Sequence, residues 1–166
     1  MGLRNIIKKG DPSLLKTSRQ VTSFDRRLHA LIDDMRETLE EANGVGLAGP
    51  QVGVLRRVCL VVETNGEEDE VIEMVNPVIL EREGEQEGME GCLSLPGVWG
   101  IVRRPMHVKI AAQDRDGNWF EREGEGLTAR AFCHEIDHLD GVLFDSRAER
   151  ILEPEEVDAM AEEQED

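Results

Sequence analysis

The pentapeptide His134-Glu135-Ile136-Asp137-His138 constrains the fold of this chain more than any other segment. On an α-helix, residues four apart lie one turn apart on one face, so the two imidazoles can bind one metal ion. The glutamate beside the first histidine can then handle the proton of a metal-bound water. Thr128 is a candidate N-cap and Gly141 a candidate stop, which predicts a helix over 129–140. A surface helix with two solvated histidines is the alternative.

A catalytic metal site needs a third protein ligand, and Cys92 is the best candidate. It lies in the segment 90–97, among turn residues that can bring a thiolate towards a helix. A Cys/His/His set binds a borderline or soft ion such as Zn²⁺ or Fe²⁺ rather than Mg²⁺ or Ca²⁺. Cys59 and Cys133 are expected to pack in the core, and three scattered cysteines predict a reducing compartment without disulfides.

The rest of the chain predicts a further strong helix and several short strands. Apolar spacings of three and four favour a helix near 23–43, with a capping signal at Thr22 and Asp25. Apolar runs predict short strands at 58–63, 71–75, 78–81, 97–102, 107–112 and 119–125. The acidic stretch 81–90 is expected to be a solvated loop, and residues 151–160 a weak helix. This order predicts an α+β fold, in which short, mostly antiparallel sheets pack around a central helix carrying the His-Glu-x-x-His motif, with an N-terminal and a C-terminal helix.

Length and charge limit the function classes. A chain of 166 residues predicts one catalytic domain over 1–166, with 153–166 as an acidic, frayed tail. The 36 acidic residues against 19 basic ones give a net charge of −17, which disfavours direct binding to nucleic acids and to anionic membranes. No apolar stretch approaches the roughly 18–20 residues of a membrane helix, and no cleavable leader is recognisable at the start. The expected location is the cytoplasm.

The segment 44–53 holds four glycines and a proline, which disfavours both helix and strand. A Gly-x-Gly run can bind phosphate when it follows a strand and opens a helix, but this one follows a predicted helix. The alternatives are a plain turn with a surface glutamine and a loop that an extended ligand approaches closely. In the second case Gln51 offers an amide N–H to an oxyanion forming on a carbonyl carbon.

Together, the segments 44–51, 90–94 and 134–138 resemble those of the peptide deformylase family in residues, order and separation. The resemblance covers about residues 4–152, and Leu139-Asp140-Gly141 extends it. It implies a hydrolase that removes the formyl group from the N-terminal formyl-methionine of newly made polypeptides, and that releases formate by attack of a metal-bound water. It further implies one divalent ion per chain, with Fe²⁺ in the cell and Zn²⁺, Ni²⁺ or Co²⁺ as replacements.

The resemblance also implies a role for individual residues. The metal ligands would be Cys92, His134 and His138, with Glu135 as general base and then general acid. The Gln51 side chain and the Leu93 backbone N–H would stabilise the oxyanion. Substrate contacts would come from backbone near Val45, Gly46 and Gly91 and from an apolar methionine pocket that includes Val45, Leu127, Ala131 and His134. Trp99 stands where Arg or Tyr is common in the family, and it could form an apolar wall for residues beyond methionine.

Two other functions remain open from the residues. One is a metallopeptidase that uses the same helix, with Glu155 or Glu156 as third ligand. The other is a catalytically silent relative that serves as a binding protein. The expected partners are N-formylmethionyl nascent peptides and, because the tail is acidic, the ribosome at most weakly. The chain is expected to be a monomer.

Overall fold

The computed structural model describes residues 2–165, and it has the predicted α+β architecture. The first helix, α1, spans Arg26–Ala42 and follows a 3₁₀ turn at Pro12–Leu15. Asp25, rather than Thr22, is its N-cap, because the Asp25 carboxylate accepts a hydrogen bond from Leu28 N–H at 3.1 Å. The predicted apolar stripe is buried against the strands that follow α1.

The described residues form eight strands in two antiparallel sheets. The strands are β1 (Gly46–Ala48), β2 (Val58–Asn65), β3 (Glu68–Glu83), β4 (Gln86–Cys92), β5 (Leu95–Arg104), β6 (His107–Gln113), β7 (Trp119–Glu125) and β8 (Arg150–Ile151). One sheet has five strands in the order β1-β2-β3-β6-β7, and the other has three in the order β4-β5-β8. The strand predicted at 119–125 pairs with its predicted neighbour at 107–112.

Three predictions about the strands are wrong. The strands expected at 71–75 and 78–81 are one strand, because a register shift between Val75 and Val78 lets β3 pass Pro77 without losing its pairing. The stretch 81–90 is not a solvated loop but the turn and flanks of β3 and β4. The segment 44–53 is likewise regular, since Gly46–Ala48 pairs with β2 and Gly49–Val52 forms a 3₁₀ turn.

The second helix, α2, spans Leu127–Leu139 and lies in the centre of the molecule. Gly126, rather than Thr128, occupies its N-cap position. The helix lies so close to β7 that a Cβ at Gly124 would be 2.7 Å from Thr128. At the other end Gly141 has φ +76° and packs on the Leu15 carbonyl, so it ends the helix as predicted. Phe132 and Leu139 of α2 join strand residues in the main core.

The chain ends in a 3₁₀ turn at Phe144–Ser146, the short β8 and a third helix, α3, over Pro154–Glu165. The helix predicted weakly for 151–160 is therefore present, and fraying of 153–166 stays a prediction. No helix within residues 2–165 combines the length and the apolar character that a membrane crossing needs.

Candidate metal centre

Cys92, at the end of β4, meets His134 and His138 of α2. Their ligand atoms all lie within 4.8 Å of one another, and Cys92 Sγ is 3.3 Å from His138 Nε2. The two histidines project from one face of α2, with ring centroids 4.9 Å apart. A register shift between Gly91 and Cys92, where β4 turns into β5, accompanies the approach of the cysteine to this face.

The three donors fit a divalent transition-metal ion. A thiol and two imidazoles are the ligands that borderline ions prefer, and among the side chains that the structure describes no glutamate beyond residue 150 joins them. Burial, and then the nearby His134, lower the pKa of His138, which keeps that ring neutral as a ligand must be. Its Nδ1 is buried and has no hydrogen-bond partner among the described residues.

Glu90 fixes the orientation of His134. The Glu90 carboxylate accepts a hydrogen bond from His134 Nδ1 at 2.7 Å, which turns Nε2 towards Cys92 and His138. Two arginines hold this carboxylate. Arg104 donates to it at 2.7 and 3.0 Å, and Arg130 at 2.6 Å. Arg104 also donates to Asp137 on α2, at 2.7 Å.

These contacts determine the charges of Glu90 and His134. Burial alone would raise the pKa of Glu90, but hydrogen bonds from His134 and Arg104 outweigh it and hold that pKa well below the usual range. Burial alone would lower the pKa of His134, but contacts with Cys92 and Glu90 outweigh it and raise that pKa to about 10. Glu90 is therefore an anion that makes the His134 ring more basic. It is only 5% exposed, although its segment was expected to be solvated.

Glu135 lies beside the ligands with almost no solvent contact. Burial raises its pKa from 4.5 to about 7. Its Oε1 has no hydrogen-bond partner among the described residues. The carboxylate lies directly on Gly46 of β1, where a Cβ would come within 2.3 Å of Oε2. A side chain at position 46 would therefore displace the Glu135 carboxylate from its present place.

The Gln51 amide is held from both ends. Its Oε1 accepts a hydrogen bond from Ala48 N–H at 2.9 Å, which turns the NH₂ group towards the ligands. Nε2 then donates to Ser94 Oγ at 3.1 Å and approaches Cys92 Sγ at 3.6 Å. Ser94 is a partner of Gln51 that the sequence did not predict. Its only sequence signal is a small polar residue two positions after the cysteine.

The residues expected to contact the substrate differ in their exposure to solvent. Leu127 and Val45 are 82% and 69% exposed, whereas Ala131 is buried one turn along α2 from Leu127. The Trp99 ring, 37% exposed, covers Gly91, where a Cβ would lie 2.4 Å from it. The Val45 carbonyl already accepts a hydrogen bond from Val62 N–H, so part of its backbone is used by the fold.

Other side chains considered from the sequence lie outside the centre. Cys133 is buried, and burial raises the pKa of its thiol. His29 of α1 contacts the Arg115 carbonyl at 2.8 Å, away from the three donors. Glu156, the alternative third ligand, pairs with Arg150 at 2.5 Å.

Known proteins resemble this chain in both sequence and fold. A family model described as polypeptide deformylase matches residues 3–153. A peptide deformylase of Caldicellulosiruptor bescii is 52% identical over 158 residues, which cover 95% of this chain and 93% of the relative. The crystal structure of peptide deformylase from Thermotoga maritima, 38% identical, superposes with a TM-score of 0.85 over 90% of this chain and 100% of that one.

A further crystal structure, of a class I type b peptide deformylase from Acinetobacter baumannii with Met-Ala-Ser bound, is 36% identical. It has a TM-score of 0.82 and covers 87% of this chain and 98% of that one. This chain therefore agrees with these proteins in fold and over nearly the whole length of its sequence, and it belongs to the polypeptide deformylase family.

Proposed function

We propose that Cys92, His134 and His138 hold one divalent ion per chain, with Fe²⁺ in the cell and Zn²⁺, Ni²⁺ or Co²⁺ as replacements. The observation that carries this is the meeting of the three donor atoms within 4.8 Å, beside Glu135 and Gln51. When bound, such an ion supplies Lewis-acid chemistry, which makes water a better nucleophile at neutral pH and polarises a carbonyl. The family activity is removal of the formyl group from the N-terminal formyl-methionine of new polypeptides.

Glu135 moves the proton in this reaction. Its carboxylate takes a proton from the attacking water and then delivers it to the nitrogen of the leaving amine. A carboxyl group with a pKa of about 7 is matched to both tasks, since it holds and releases a proton near neutral pH. The contact with Gly46 keeps the carboxylate in place during the transfer.

Gln51 and Leu93 stabilise the negative charge that forms on the formyl oxygen. The Gln51 amide is already oriented by Ala48 and Ser94, so it needs no rearrangement when the charge develops. The backbone N–H of Leu93 is the second donor, in the turn directly after Cys92. One such donor is typically worth about 10²–10³ in rate.

The substrate is an extended peptide that begins with formyl-methionine. Backbone near Val45, Gly46 and Gly91 pairs with it, and the exposed Leu127 and the buried Ala131 line one side of a methionine pocket. The Met-Ala-Ser complex of the Acinetobacter baumannii relative supports this substrate class. Trp99 is an apolar wall for later residues, so Trp99→Ala should reduce the preference for apolar side chains there. Equal kinetics of both proteins across a peptide series would contradict this role.

Residues 1–166 act as one catalytic domain, in the cytoplasm and as a monomer, on nascent chains. The acidic end of the chain supports only weak or transient association with the ribosome and no direct nucleic-acid binding. Tight co-sedimentation with ribosomes that is lost when 153–166 are deleted would contradict this.

Formate release from formyl-Met-Ala-Ser tests the proposal. The protein is purified without oxygen and loaded with Fe²⁺ or Ni²⁺, and Glu135→Ala is measured alongside. We expect rapid release by the wild type and almost none by the variant, with equal metal content in both. Cys92→Ala should lose the metal.

The same proteins separate the alternatives. Cleavage of unformylated peptides without formate release would indicate a metallopeptidase. A fully loaded wild type that is inactive on both substrates would indicate a silent binding protein. Retention of the metal by Cys92→Ala would contradict the ligand set.

A further inference from the structure

The two proposed oxyanion donors belong to different sheets. Gln51 lies in the 3₁₀ turn that follows β1 of the five-stranded sheet, and Leu93 lies between β4 and β5 of the three-stranded sheet. Within the described residues, no strand pairing joins the two sheets. The distance between the two donors must therefore be set by other contacts.

Residues 7–9, which we call the strap, connect the two turns directly. Ile7 N–H donates to the Gln51 carbonyl at 2.7 Å, and Lys9 N–H donates to the Ser94 carbonyl at 2.8 Å. Only Lys8 separates Ile7 from Lys9 along the chain, so a single short piece of backbone holds both turns. The side-chain hydrogen bond from Gln51 to Ser94 Oγ closes the connection on the inner side.

The strap has its own anchors. The Ile7 side chain packs against the core cluster that contains Leu14, Leu95 and Phe144. The Lys9 ammonium pairs with Asp145, in the 3₁₀ turn beyond α2. The Lys9 anchor lies outside the two turns, and the cluster that Ile7 joins extends beyond them to Leu14 and Phe144. The strap is therefore fixed to other parts of the molecule as well as to the two turns.

We propose that Ile7 and Lys9 are positioning residues for the reaction, and that their backbone N–H groups set the alignment of the Gln51 and Leu93 donors. This inference rests on the oxyanion roles proposed above. Because the contacts are backbone hydrogen bonds, substitution of the side chains alone leaves them intact. Proline removes the N–H and is the substitution that tests them.

The experiment compares Ile7→Pro with Lys8→Pro in the metal-loaded enzyme. Lys8→Pro is the matched control, because it adds a proline to the strap and keeps both N–H donors. We expect Ile7→Pro to lower kcat about 10-fold, a part of the 10²–10³ that one oxyanion donor is worth, with KM and metal content unchanged. In a Gln51→Ala background the same proline should change kcat less than about 2-fold, since the donor that it positions is gone.

A second readout does not depend on activity. The side-chain NH₂ resonances of Gln51 in a ¹⁵N–¹H spectrum should shift in Ile7→Pro and stay in place in Lys8→Pro. Lys9→Pro provides an independent variant from the other end of the strap, and it decides the question if Ile7→Pro does not fold.

Two results would overturn the inference. One is a lowered melting temperature with unchanged kcat and unchanged Gln51 resonances, which would make the strap a purely structural element. The other is an equal loss of kcat in the wild-type and Gln51→Ala backgrounds. A wild-type chain without deformylase activity would instead contradict the proposed function, and the Gln51 resonances would still show whether the strap positions that side chain.

Discussion

At the scale of single residues, the position of the proposed proton carrier, Glu135, depends on Gly46 of β1, which is distant in sequence. Gly46→Ala places a methyl group where Glu135 Oε2 now lies, within 2.3 Å of the new carbon. We expect kcat to fall at least about 10-fold, because general acid–base catalysis contributes about 10²–10⁴ and the carboxylate must move. The metal should stay bound, which element analysis of the purified variant can check.

Gly124→Ala is the matched control for this change. It also meets α2 closely, at Thr128, but about two turns before Glu135 and not at the Glu135 carboxylate. It should lower the melting temperature and leave kcat of the folded enzyme near the wild-type value. An equal fall of kcat in both variants would mean that Gly46 acts through stability alone.

Glu90 is the second single residue with a large expected effect. Glu90→Gln leaves Arg104 and Arg130 buried without their carboxylate, and breaking a buried ion pair typically costs about 3–5 kcal/mol. Metal affinity should fall about 10–100-fold, as for other partners of ligating histidines. Urea unfolding and chelator competition measure the two effects.

The exposed Glu149, which pairs with Arg103 at the surface, offers the comparison for Glu90. Glu149→Gln should change neither the free energy of unfolding nor the metal affinity. If Glu90→Gln binds the metal as tightly as the wild type does, the His134 ring does not need Glu90 for its orientation.

At the scale of elements, Glu73 connects α1 with the β6–β7 loop. Its carboxylate accepts from Arg36 at 2.5 Å and from Arg115 at 2.8 and 2.9 Å. Burial alone would raise the pKa of Glu73, but the hydrogen bonds from the two arginines outweigh it, and the pKa is lowered. A lowered pKa in the folded state means that the stabilisation is complete above the unfolded pKa of about 4.3 and is lost as the pH falls through the folded pKa.

Glu73→Gln should therefore cost about 1–2 kcal/mol of unfolding free energy at pH 7 and progressively less below about pH 4. Chemical unfolding at a series of pH values measures this difference. Glu121→Gln, which removes a surface partner of Lys109, is the comparison and should show little effect at any pH. A Glu73→Gln cost that is constant down to pH 3 would contradict the assigned pKa shift.

The elements also show what local sequence can and cannot predict. The spacing of His134 and His138 and the apolar stripe of α1 depend on residues within a few turns, so both helices were predicted. The stretch 81–90 was misread because its acidic residues are typical of a solvated loop. Glu90 is buried only because Arg104 and Arg130 approach it from distant positions.

In the candidate site, too, some residues can be predicted from local sequence and some contacts cannot. The three proposed metal ligands, Glu135 and Gln51 could be named from short motifs and their resemblance to a family. The contact of Ser94 with Gln51 and that of Gly46 with Glu135 could not, because each joins segments that are brought together only by the folded sheets.

At the scale of the whole molecule, the net charge of −17 acts against the compact state through self-repulsion. Deleting 153–166 removes eight acidic residues and no basic one, which leaves −9. The cut follows the buried Leu152, so the metal centre stays intact. Raising the salt from about 10 to 300 mM should increase the melting temperature of the full chain by roughly 2–4 °C, and that of the shortened chain by less.

Differential scanning calorimetry of both chains, with formate release as a check on the site, tests this prediction. We expect kcat and KM to be the same for both chains at one ionic strength. An equal salt dependence of the two melting temperatures would mean that charge at the end of the chain does not contribute to repulsion.

Because Cys92 reaches the histidines of α2 from the end of β4, the number of residues near Cys92 limits how such a chain can diversify. The β2–β3 turn at Gly66 has open space around it and lies at the outer rim, so an extra residue there changes no ligand. One extra residue between Gly91 and Ser94 would rotate Cys92 away from α2. In an insertion scan, we therefore expect activity to be retained after insertion at the β2–β3 turn and lost after insertion between Gly91 and Ser94. Evolution can lengthen, decorate or fuse the outer edges of this protein freely, while its centre admits almost no change in chain length.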